Sequence, residues 1–228
     1  MTKKLFIFDW NGTLLFDTAA NHAGFNETLK LFGQEPVSHD QYRDTMDFPL
    51  VHVYTRNGVH VDDYLARFQD ATDIFFNTYR PLAKFCPLKE NTVELLEFLL
   101  DQDYDLMVLS NQNDIDLHDQ IAERHITRYF KIISGNQENS VLGYTTTNKL
   151  QRLEKILAEN EYDLSQSYII GDSLEEPEIA HRLGLNCISV TWGCFSKHRL
   201  EKTTTNHVID DLAQAIQILQ ESHLKEAI

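Results

Sequence analysis

The sequence predicts an α/β fold in which helices cover both faces of a parallel sheet. Short apolar runs of strand length alternate along most of the chain with segments whose apolar residues recur at helical spacing. This alternation is typical of parallel sheets, which bury both faces. The runs with strand length are residues 5–8, 106–109, 132–133, 168–170 and 187–190.

Helical spacing is clear in three segments outside the first eighty-five residues. Residues 89–102 and 150–157 each carry leucines, isoleucines or valines on one helical face, and Val208–Leu219 reads as a closing helix. In a sheet of this kind, ligands bind beyond the carboxyl ends of the strands. The residues that follow each predicted strand are therefore the first candidates for a functional site.

Residues 16–85 interrupt the alternation. They contain helical patterns over 18–32 and 61–79 but no apolar run that reads as a buried strand. Pro81 and Pro87 bracket the return to the alternating pattern, and proline commonly ends a helix or stiffens a linker. We expect an inserted helical cap. The predicted domains are a core of residues 1–15 and 86–228 and a cap of residues 16–85.

Composition excludes several classes of protein. The 228 residues include 20 basic and 35 acidic side chains, a formal charge of −15, which disfavours a general nucleic-acid binder. No run of 18 apolar residues predicts a membrane span, and Asp9 interrupts the first apolar stretch too early for a signal peptide. Three cysteines without metal-ligand spacing favour free thiols in a reducing compartment. We therefore expect a cytoplasmic protein.

Polar side chains stand at the carboxyl ends of three predicted strands, and a lysine begins the helix before the last of these strands. Together they supply two carboxylates, hydroxyl groups, an amide and an ammonium group. This set suits phosphoryl transfer: one carboxylate attacks phosphorus, a second helps to hold Mg²⁺, and the other groups neutralise phosphoryl oxygens. The set comprises Asp9, Ser110, Asn111, Lys149, Asp172 and Ser173.

Each of these residues has an ordinary structural interpretation when taken alone. An isolated aspartate or serine after a strand is usually a helix cap or a turn residue. Their recurrence at the tips of strands in one predicted sheet favours a site instead. Lys131 and Lys155 are poorer candidates for the cation, since one would begin a strand and the other lies mid-helix. Glu175 and Glu178 are expected to be solvated charges on a helix face.

Four stretches resemble the motifs of the haloacid dehalogenase-like hydrolases. DWNGTL at 9–14 is similar to the first motif, DxDGTL, LSN at 109–111 to the second, and GDSLEEPEIA at 171–180 to the fourth. TWG at 191–193 resembles the end of the core in phosphoglycolate phosphatase-like members. The resemblance covers nearly the whole chain. It implies a Rossmann-like core with an inserted helical cap and a Mg²⁺-dependent phosphatase acting on a small phosphorylated metabolite.

The resemblance also implies a role for each matching residue. Asp9 would be the nucleophile, and Lys149 stands for the lysine of the third motif although Leu150 replaces the proline that often follows it. Glu176 occupies a position where the family often has a second aspartate. The implied sets are Asp9 and Asn11 for catalysis, Asp9, Asn11 and Asp172 for the metal, Ser110, Asn111 and Lys149 for phosphate, and Thr13, Ser173 and Glu176 as supporting residues.

Asn11 departs from the family pattern, in which the carboxyl group at this position protonates the leaving alkoxide and then activates water. A carboxamide has no proton to exchange near neutral pH, so a contribution of about 10²- to 10⁴-fold should be lost. Its backbone carbonyl can still bind the metal. The enzyme would then need good leaving groups such as acyl or aryl phosphates, another acid such as Asp17 or His22, or deamidation at the Asn11–Gly12 pair.

Other functions fit the sequence less well than a phosphatase. Dehalogenases of the family work without Mg²⁺ and usually lack the Gly-Asp pair found here at Gly171 and Asp172. Phosphonatases need a cap lysine, and neither Lys30 nor Lys84 has a persuasive context. Receiver domains are shorter and lack a cap. A P-loop NTPase is excluded because the sequence contains no GxxxxGK[ST] motif. The remaining alternative is a regulatory module that binds a phosphoryl ligand without turnover.

Overall fold

The computed structural model of the protein describes residues 3–137 and 148–226. The strands in these residues are β1 (Lys4–Phe8), β2 (Tyr104–Asn113), β3 (Ile132–Asn136), β4 (Tyr168–Gly171), β5 (Asn186–Val190) and β6 (His207–Ile209). They form one sheet in the order β3-β2-β1-β4-β5-β6, and each neighbouring pair is parallel. The predicted α/β fold is confirmed.

The helices divide into two groups along the chain. Between β1 and β2 the first group comprises α1 (Thr18–Leu31), α2 (His39–Thr45), α3 (Val51–Arg56), α4 (Val61–Ala66) and α5 (Phe68–Ala83), with α6 (Thr92–Asp101) leading into β2. We refer to residues 16–85 as the helical segment. The later helices are α7 (Asp114–Glu123), α8 (Lys149–Ala158), α9 (Glu175–Leu183), α10 (Lys197–Leu200) and α11 (Leu212–Glu226).

Strand β1 lies inside the sheet and is buried on both faces. Phe6 and Phe8 point into the apolar cluster that includes α6 and α7, whereas Leu5 and Ile7 point into the cluster that includes α8 and α9. All four side chains have no exposed area. Because side chains alternate along a strand, this continuous apolar run requires a helical layer on each face. The carboxyl end of β1 is thereby held rigidly inside the sheet.

The helical segment has an aromatic core of its own. Phe25 on α1 packs against Tyr42 and Tyr54, and the Tyr54 and Tyr64 rings stack with centroids 4.6 Å apart. Phe195, which follows β5, joins the same cluster. The segment therefore packs directly against the carboxyl edge of the sheet.

Three expectations about the elements are wrong. Val208 does not begin the closing helix but lies in β6, where it pairs with Ser189 of β5. Burial of the neighbouring Ile209 favours this pairing, and α11 begins only at Leu212. The helix expected over 61–79 is two helices that meet at Arg67. Helix α5 also continues past Pro81 to Ala83, because proline removes only one donor and Lys84 N still bonds the carbonyl of Arg80.

No helix in the described ranges, 3–137 and 148–226, has the length and apolar character to cross a membrane.

Candidate active site

Asp9 directly follows β1 and is held by donors on both carboxylate oxygens. Its backbone N–H bonds the carbonyl of Ile170 at 2.9 Å, which extends the β1–β4 pairing by one residue. Oδ1 accepts from Lys149 Nζ at 2.8 Å, and Oδ2 accepts from Thr13 Oγ1 at 3.1 Å. The residue is 8% exposed. The carboxylate is therefore fixed in position at the carboxyl edge of the sheet.

Lys149 begins α8 and is buried beside two carboxylates. Its ammonium group lies 2.8 Å from Asp9 Oδ1 and 2.5 Å from Glu176 Oε1. Glu176 in turn accepts from the hydroxyl and the backbone N–H of Ser173 at 2.6 and 3.1 Å. Of the three lysines considered from the sequence, the structure places Lys149 at the site, while Lys131 and Lys155 are exposed.

Asp172 follows β4 in a position that two glycines make possible. Its Oδ2 accepts from the backbone N–H of Cys194. A Cβ at Gly12 would lie 2.5 Å from this oxygen, and one at Gly193 would lie 2.1 Å from it. Both distances are far shorter than real contacts, so these two glycines let the first-motif loop and the β5 loop close on the carboxylate.

The second-motif residues lie at the end of β2. Ser110 Oγ accepts from the backbone N–H of Gln112 at 3.1 Å, and the carbonyl of Ser110 accepts from Arg152 at 2.6 Å. Asn111 Nδ2 donates to Glu175 Oε2 at 2.5 Å. The expectation that Glu175 is a solvated charge is therefore wrong: its carboxylate is half-buried and orients Asn111. Glu178 is exposed as expected.

The side chain of Asn11 is bound by residues at the start and end of the helical segment. Its Nδ2 donates to Asp17 Oδ2 at 2.7 Å and to Tyr79 Oη at 2.8 Å, and Tyr79 Oη donates to Asp17 Oδ2 at 2.7 Å. Asp17 has no exposed area and also accepts from Gly12 N and Asn21 Nδ2. Burial raises the pKa of Asp17, and these donors oppose the rise.

Asp17 and His22, the two candidates for a substitute acid, do not lie in the wall of the cavity that contains Asp9. Asp17 lies behind Asn11 and does not line the cavity described below. His22 also does not line it, and its Nε2 lies 2.8 Å from the carbonyl of Val37. The three other histidines of the segment, His39, His52 and His60, are exposed.

The buried charges at the site perturb one another. Burial raises the pKa of Asp9 to about 6, against the opposing effect of the Lys149 ammonium group. Burial, followed by the charge of Asp9, raises the pKa of Asp172 well above its ordinary range. Although burial alone would raise the pKa of Glu176, Lys149 outweighs it and lowers that pKa. Asp172 forms no ion pair with the described residues, so no cation in direct contact compensates for the burial of its carboxyl group.

A cavity lies between this edge of the sheet and the helical segment. The structure brings seven of the predicted site residues to its wall: Asp9, Asn11, Ser110, Asn111, Lys149, Asp172 and Ser173. Thr13 and Glu176, the remaining two, lie directly behind this wall in contact with Asp9 and Lys149. The rest of the cavity is mostly apolar.

Sequence reasoning missed several contributors to this site. Tyr79 reaches Asn11 from 68 residues away, and Arg152 positions the Ser110 carbonyl from 42 residues away. Cys194 contacts the Asp172 carboxylate through its backbone N–H alone, so its side chain gives no signal in the sequence. No local motif marks any of these contacts, because each depends on how distant segments fold together.

The residues fit a hard divalent cation, although no group of three or more His, Cys, Asp and Glu side chains forms a metal cluster within residues 3–137 and 148–226. Asp9 and Asp172 offer oxygen ligands, and both carboxyl groups are buried at the wall of the cavity. Mg²⁺ needs only one or two carboxylates because it keeps several waters. The oxygen-only donor set thus suits Mg²⁺ better than a softer metal.

Comparison with known proteins decides the family. The model of the haloacid dehalogenase-like hydrolases matches residues 6–190. The chain belongs to this hydrolase family. The resemblance inferred from the motifs is therefore confirmed, as is the prediction of a hydrolase.

The haloacid dehalogenase-like relatives include phosphatases. A 5'-nucleotidase of Pseudomonas aeruginosa is 30% identical over 152 residues, which cover 64% of this chain and 66% of that protein. A phosphoglycolate phosphatase of Pseudomonas fluorescens is 23% identical over 222 residues, covering 93% of this chain and 78% of that protein.

Solved structures share the fold. One described as a "predicted phosphatase" from Clostridium acetobutylicum has a TM-score of 0.79 at 18% identity and covers 97% of this chain and 100% of its own. A "predicted phosphoglycolate phosphatase" from Haemophilus somnus has a TM-score of 0.70 at 19% identity, with 96% and 98% covered. At these identities the likeness concerns the fold alone.

Proposed function

We propose that the protein is a Mg²⁺-dependent phosphatase of small phosphate monoesters that works through an aspartyl-phosphate at Asp9. The observation that carries this proposal is the fixed Asp9 carboxylate at the wall of the cavity, paired with Lys149 and Thr13. A buried, oriented carboxylate is a suitable nucleophile for covalent catalysis. The two phosphatase relatives support the same reaction class.

The reaction proceeds in two displacements. An Asp9 oxygen forms a bond to phosphorus while the ester P–O bond breaks, and the bonding electron pair leaves with the ester oxygen. Water then attacks phosphorus, the bond to Asp9 breaks, and inorganic phosphate is released. Lys149, Ser110 and Asn111 would stabilise charge on the phosphoryl oxygens in both steps. Mg²⁺, held by Asp9, Asp172 and the backbone carbonyl of Asn11, would add positive charge beside these oxygens.

Asn11 limits which esters react. Its amide donates to Asp17 and Tyr79, and it has no proton to give to a departing oxygen. The leaving group must therefore depart as an anion and take its proton from water. This favours esters of acidic alcohols and acyl phosphates, and it lowers the rate for ordinary alkyl esters.

We also propose that the helical segment, residues 16–85, acts as the cap of this enzyme, on a core of residues 1–15 and 86–228. Its side chains form the wall of the cavity opposite Asp9. A cap in this position would exclude water from the phosphoryl group and select the rest of the substrate. 

One observation favours a second candidate, a module that binds a phosphoryl ligand without turnover. The side-chain amide of Asn11 donates to the buried carboxylate of Asp17, which also accepts from Tyr79. The position that usually carries the catalytic acid and base therefore has a structural role here. Phosphate and metal contacts would survive in such a module.

The test is phosphate release from phenyl phosphate with and without Mg²⁺, comparing the native protein with Asp9→Asn. We expect Mg²⁺-dependent turnover that falls by at least about 10³-fold in the variant. Asp119→Asn, an exposed carboxylate on α7, is the matched control for the substitution and for contaminating phosphatases. Equal rates for native protein and Asp9→Asn would remove the proposed mechanism, and binding without release would favour the second candidate.

A further inference from the structure

Aromatic rings make up a large part of the wall of the cavity above Asp9. Eight of its 25 lining residues are phenylalanine or tyrosine. Phe48, Phe75 and Phe76 are only half-buried, so they leave ring surface available to a ligand. Phe195 and Phe25 close the wall from the core and from α1. Such a wall suits a flat apolar group.

The same wall offers no uncommitted positive charge for a second anionic group of a ligand. Among the described residues that line it, Lys149 is the one with a cationic side chain, and this ammonium group already contacts Asp9 and Glu176. The nearby Arg43 donates instead to the backbone carbonyls of Gly193 and Phe195. Residues 138–147, outside the described ranges, contain no lysine, arginine or histidine. A carboxylate on the leaving group would therefore be buried without a cationic partner, which is costly.

The free space of the whole cavity, including the part beside Asp9, is close to that of one aromatic ring, so a larger leaving group is disfavoured. It amounts to about 140 Å³, close to the roughly 150 Å³ of an apolar protein cavity that binds benzene. A sugar or glycolate would fit by volume but would bring hydroxyl or carboxylate groups into contact with phenylalanine rings. The apolar wall discriminates against these groups by their polarity.

One side chain of the wall has a polar atom without a hydrogen-bond partner among the described residues. Gln112 Nε2 is buried and finds no hydrogen-bond partner in the described residues, although Gln112 lines the cavity next to Ser110 and Asn111. A buried donor without a partner costs free energy, so a ligand oxygen that accepts its hydrogen bond would be favoured.

We infer that the substrate is an aryl phosphate, whose uncharged aromatic leaving group occupies the ring-lined cavity while its phosphoryl group meets Asp9. This inference rests on the proposed phosphatase function and names its substrate class. Two independent features converge on it. The rings recognise a flat apolar group, and the missing acid at Asn11 requires an oxygen that departs as a stable anion, as a phenolate does.

Four phosphates separate ring recognition from leaving-group ability. Phenyl phosphate has a ring and a good leaving group, benzyl phosphate has a ring on an alkoxide, acetyl phosphate has a good leaving group without a ring, and 2-phosphoglycolate has neither. With Mg²⁺ present, we expect kcat/KM to be highest for phenyl phosphate. Benzyl phosphate should share its low KM but not its kcat, and acetyl phosphate should react with a high KM. A preference for 2-phosphoglycolate or for adenosine 5'-monophosphate over phenyl phosphate would overturn the inference while leaving the phosphatase function intact.

Cavity variants test the ring wall directly. Phe48→Ala should raise KM for phenyl phosphate about tenfold, the effect expected for one lost aromatic contact. It should leave KM for acetyl phosphate unchanged. Phe48→Leu, which keeps the apolar volume, covers the case in which alanine disturbs folding, and Phe85→Ala, which removes a ring that is 83% exposed, is the matched control. An equal change in KM for both substrates would contradict recognition by the ring.

A binding measurement separates failure of the inference from failure of the function. Phenylphosphonate and phosphonoacetate, neither of which can be hydrolysed at a P–O ester bond, are titrated into native protein with Mg²⁺ by calorimetry. Tighter binding of phenylphosphonate without turnover of any ester would support the aromatic site and reject the phosphatase. Tighter binding of phosphonoacetate would reject the aromatic site whether or not the protein turns over.

Discussion

At the scale of single residues, the chemistry of the site depends on the pair Asn11 and Asp17. The amide of Asn11 donates to the buried carboxylate of Asp17 at 2.7 Å, and Tyr79 donates to the same oxygen. A carboxylate at position 11 would therefore stand against another carboxylate. Restoring the family's usual aspartate has two consequences, one for the reaction and one for stability.

We expect Asn11→Asp to raise kcat/KM for benzyl phosphate by about 10²-fold or more, because the new carboxyl group can protonate the alkoxide. The gain for phenyl phosphate should be much smaller, since a phenolate departs without a proton. The same variant should lower the free energy of unfolding by about 3 kcal/mol, the scale of an uncompensated buried charge. Steady-state kinetics and urea denaturation measure these two effects.

The exchanged variant, Asn11→Asp with Asp17→Asn, is the control for this prediction. It keeps one carboxylate and one amide in contact, so stability should largely recover while the gain on benzyl phosphate remains. If the gain is the same for both substrates, the new carboxyl group is not acting as the acid. If the exchange recovers no stability, contact between the two carboxylates is not the cause of the loss.

At the scale of elements, one arginine joins the helical segment to the core. Arg43 on α2 donates to three backbone carbonyls in the loop after β5: those of Gly193 at 2.9 Å, Phe195 at 3.0 Å and Thr191. Ser196 N returns a bond to the carbonyl of Arg43 at 3.2 Å. This loop also supplies the Cys194 N–H that binds the Asp172 carboxylate, so the position of the segment is linked to the site.

We expect Arg43→Lys to weaken this connection, because an ammonium group cannot reproduce the planar arrangement of guanidinium donors. Hydrogen exchange should accelerate in α2 and in residues 191–196, and kcat/KM should fall by about tenfold or more as Asp172 loses its positioning. Arg56→Lys, an ion pair with Asp47 on the surface of the same segment, is the matched control. Unchanged exchange in residues 191–196 would show that the connection does not depend on the guanidinium.

At the scale of the whole molecule, the two ends of the parallel strands have different roles: the carboxyl ends carry the candidate site, and the amino ends carry contacts that stabilise the fold. The candidate site occupies the carboxyl edge. At the amino edge, Asp105 near the start of β2 accepts from Lys131, Lys3 and Tyr162 at 2.5, 3.1 and 3.0 Å. These partners precede β3, β1 and β4, so the cluster ties four strands together at the edge remote from Asp9.

The cluster should make stability depend on pH in a defined direction. Burial alone would raise the pKa of Asp105, but hydrogen bonds from Lys131 and Lys3 outweigh it and lower the pKa. A carboxyl group with a lowered folded-state pKa stabilises the fold above its unfolded pKa of about 3.9, and this contribution is lost as the pH falls through the folded pKa. The stabilisation is therefore complete at pH 7.

We expect Asp105→Asn to reduce the free energy of unfolding at pH 7 by about 1 kcal/mol, a small value because both lysines are half exposed. The difference from the native protein should shrink as the pH falls below about 4. Phosphate release per folded molecule should not change. Denaturation at several pH values measures the trend, with Asp119→Asn as the control, and a difference that grows in acid would contradict it.

Much of the core and part of the site follow from local sequence. The apolar runs that predict β1, β2, β4 and β5 are three or four residues long and need burial on both faces, and motif residues stand directly after β1, β2 and β4. Since parallel strands end at one edge, Asp9, Ser110 and Asp172 had to meet there. The short strand β6 escaped prediction because the helical spacing of the closing helix includes Val208 and Ile209, so local pattern assigns both residues to that helix.

The sequence by itself determined the fold class, the family and which polar side chains meet at one edge of the sheet, since each of these depends on patterns a few residues long. Tertiary structure alone decided that Glu175 orients Asn111, that Asp17 and Tyr79 hold Asn11, and that half-buried rings wall the cavity. These contacts join residues that are distant in the chain and depend on how the helical segment packs on the core. Local periodicity carries no record of that packing, because the same helical pattern would result from many orientations of the segment.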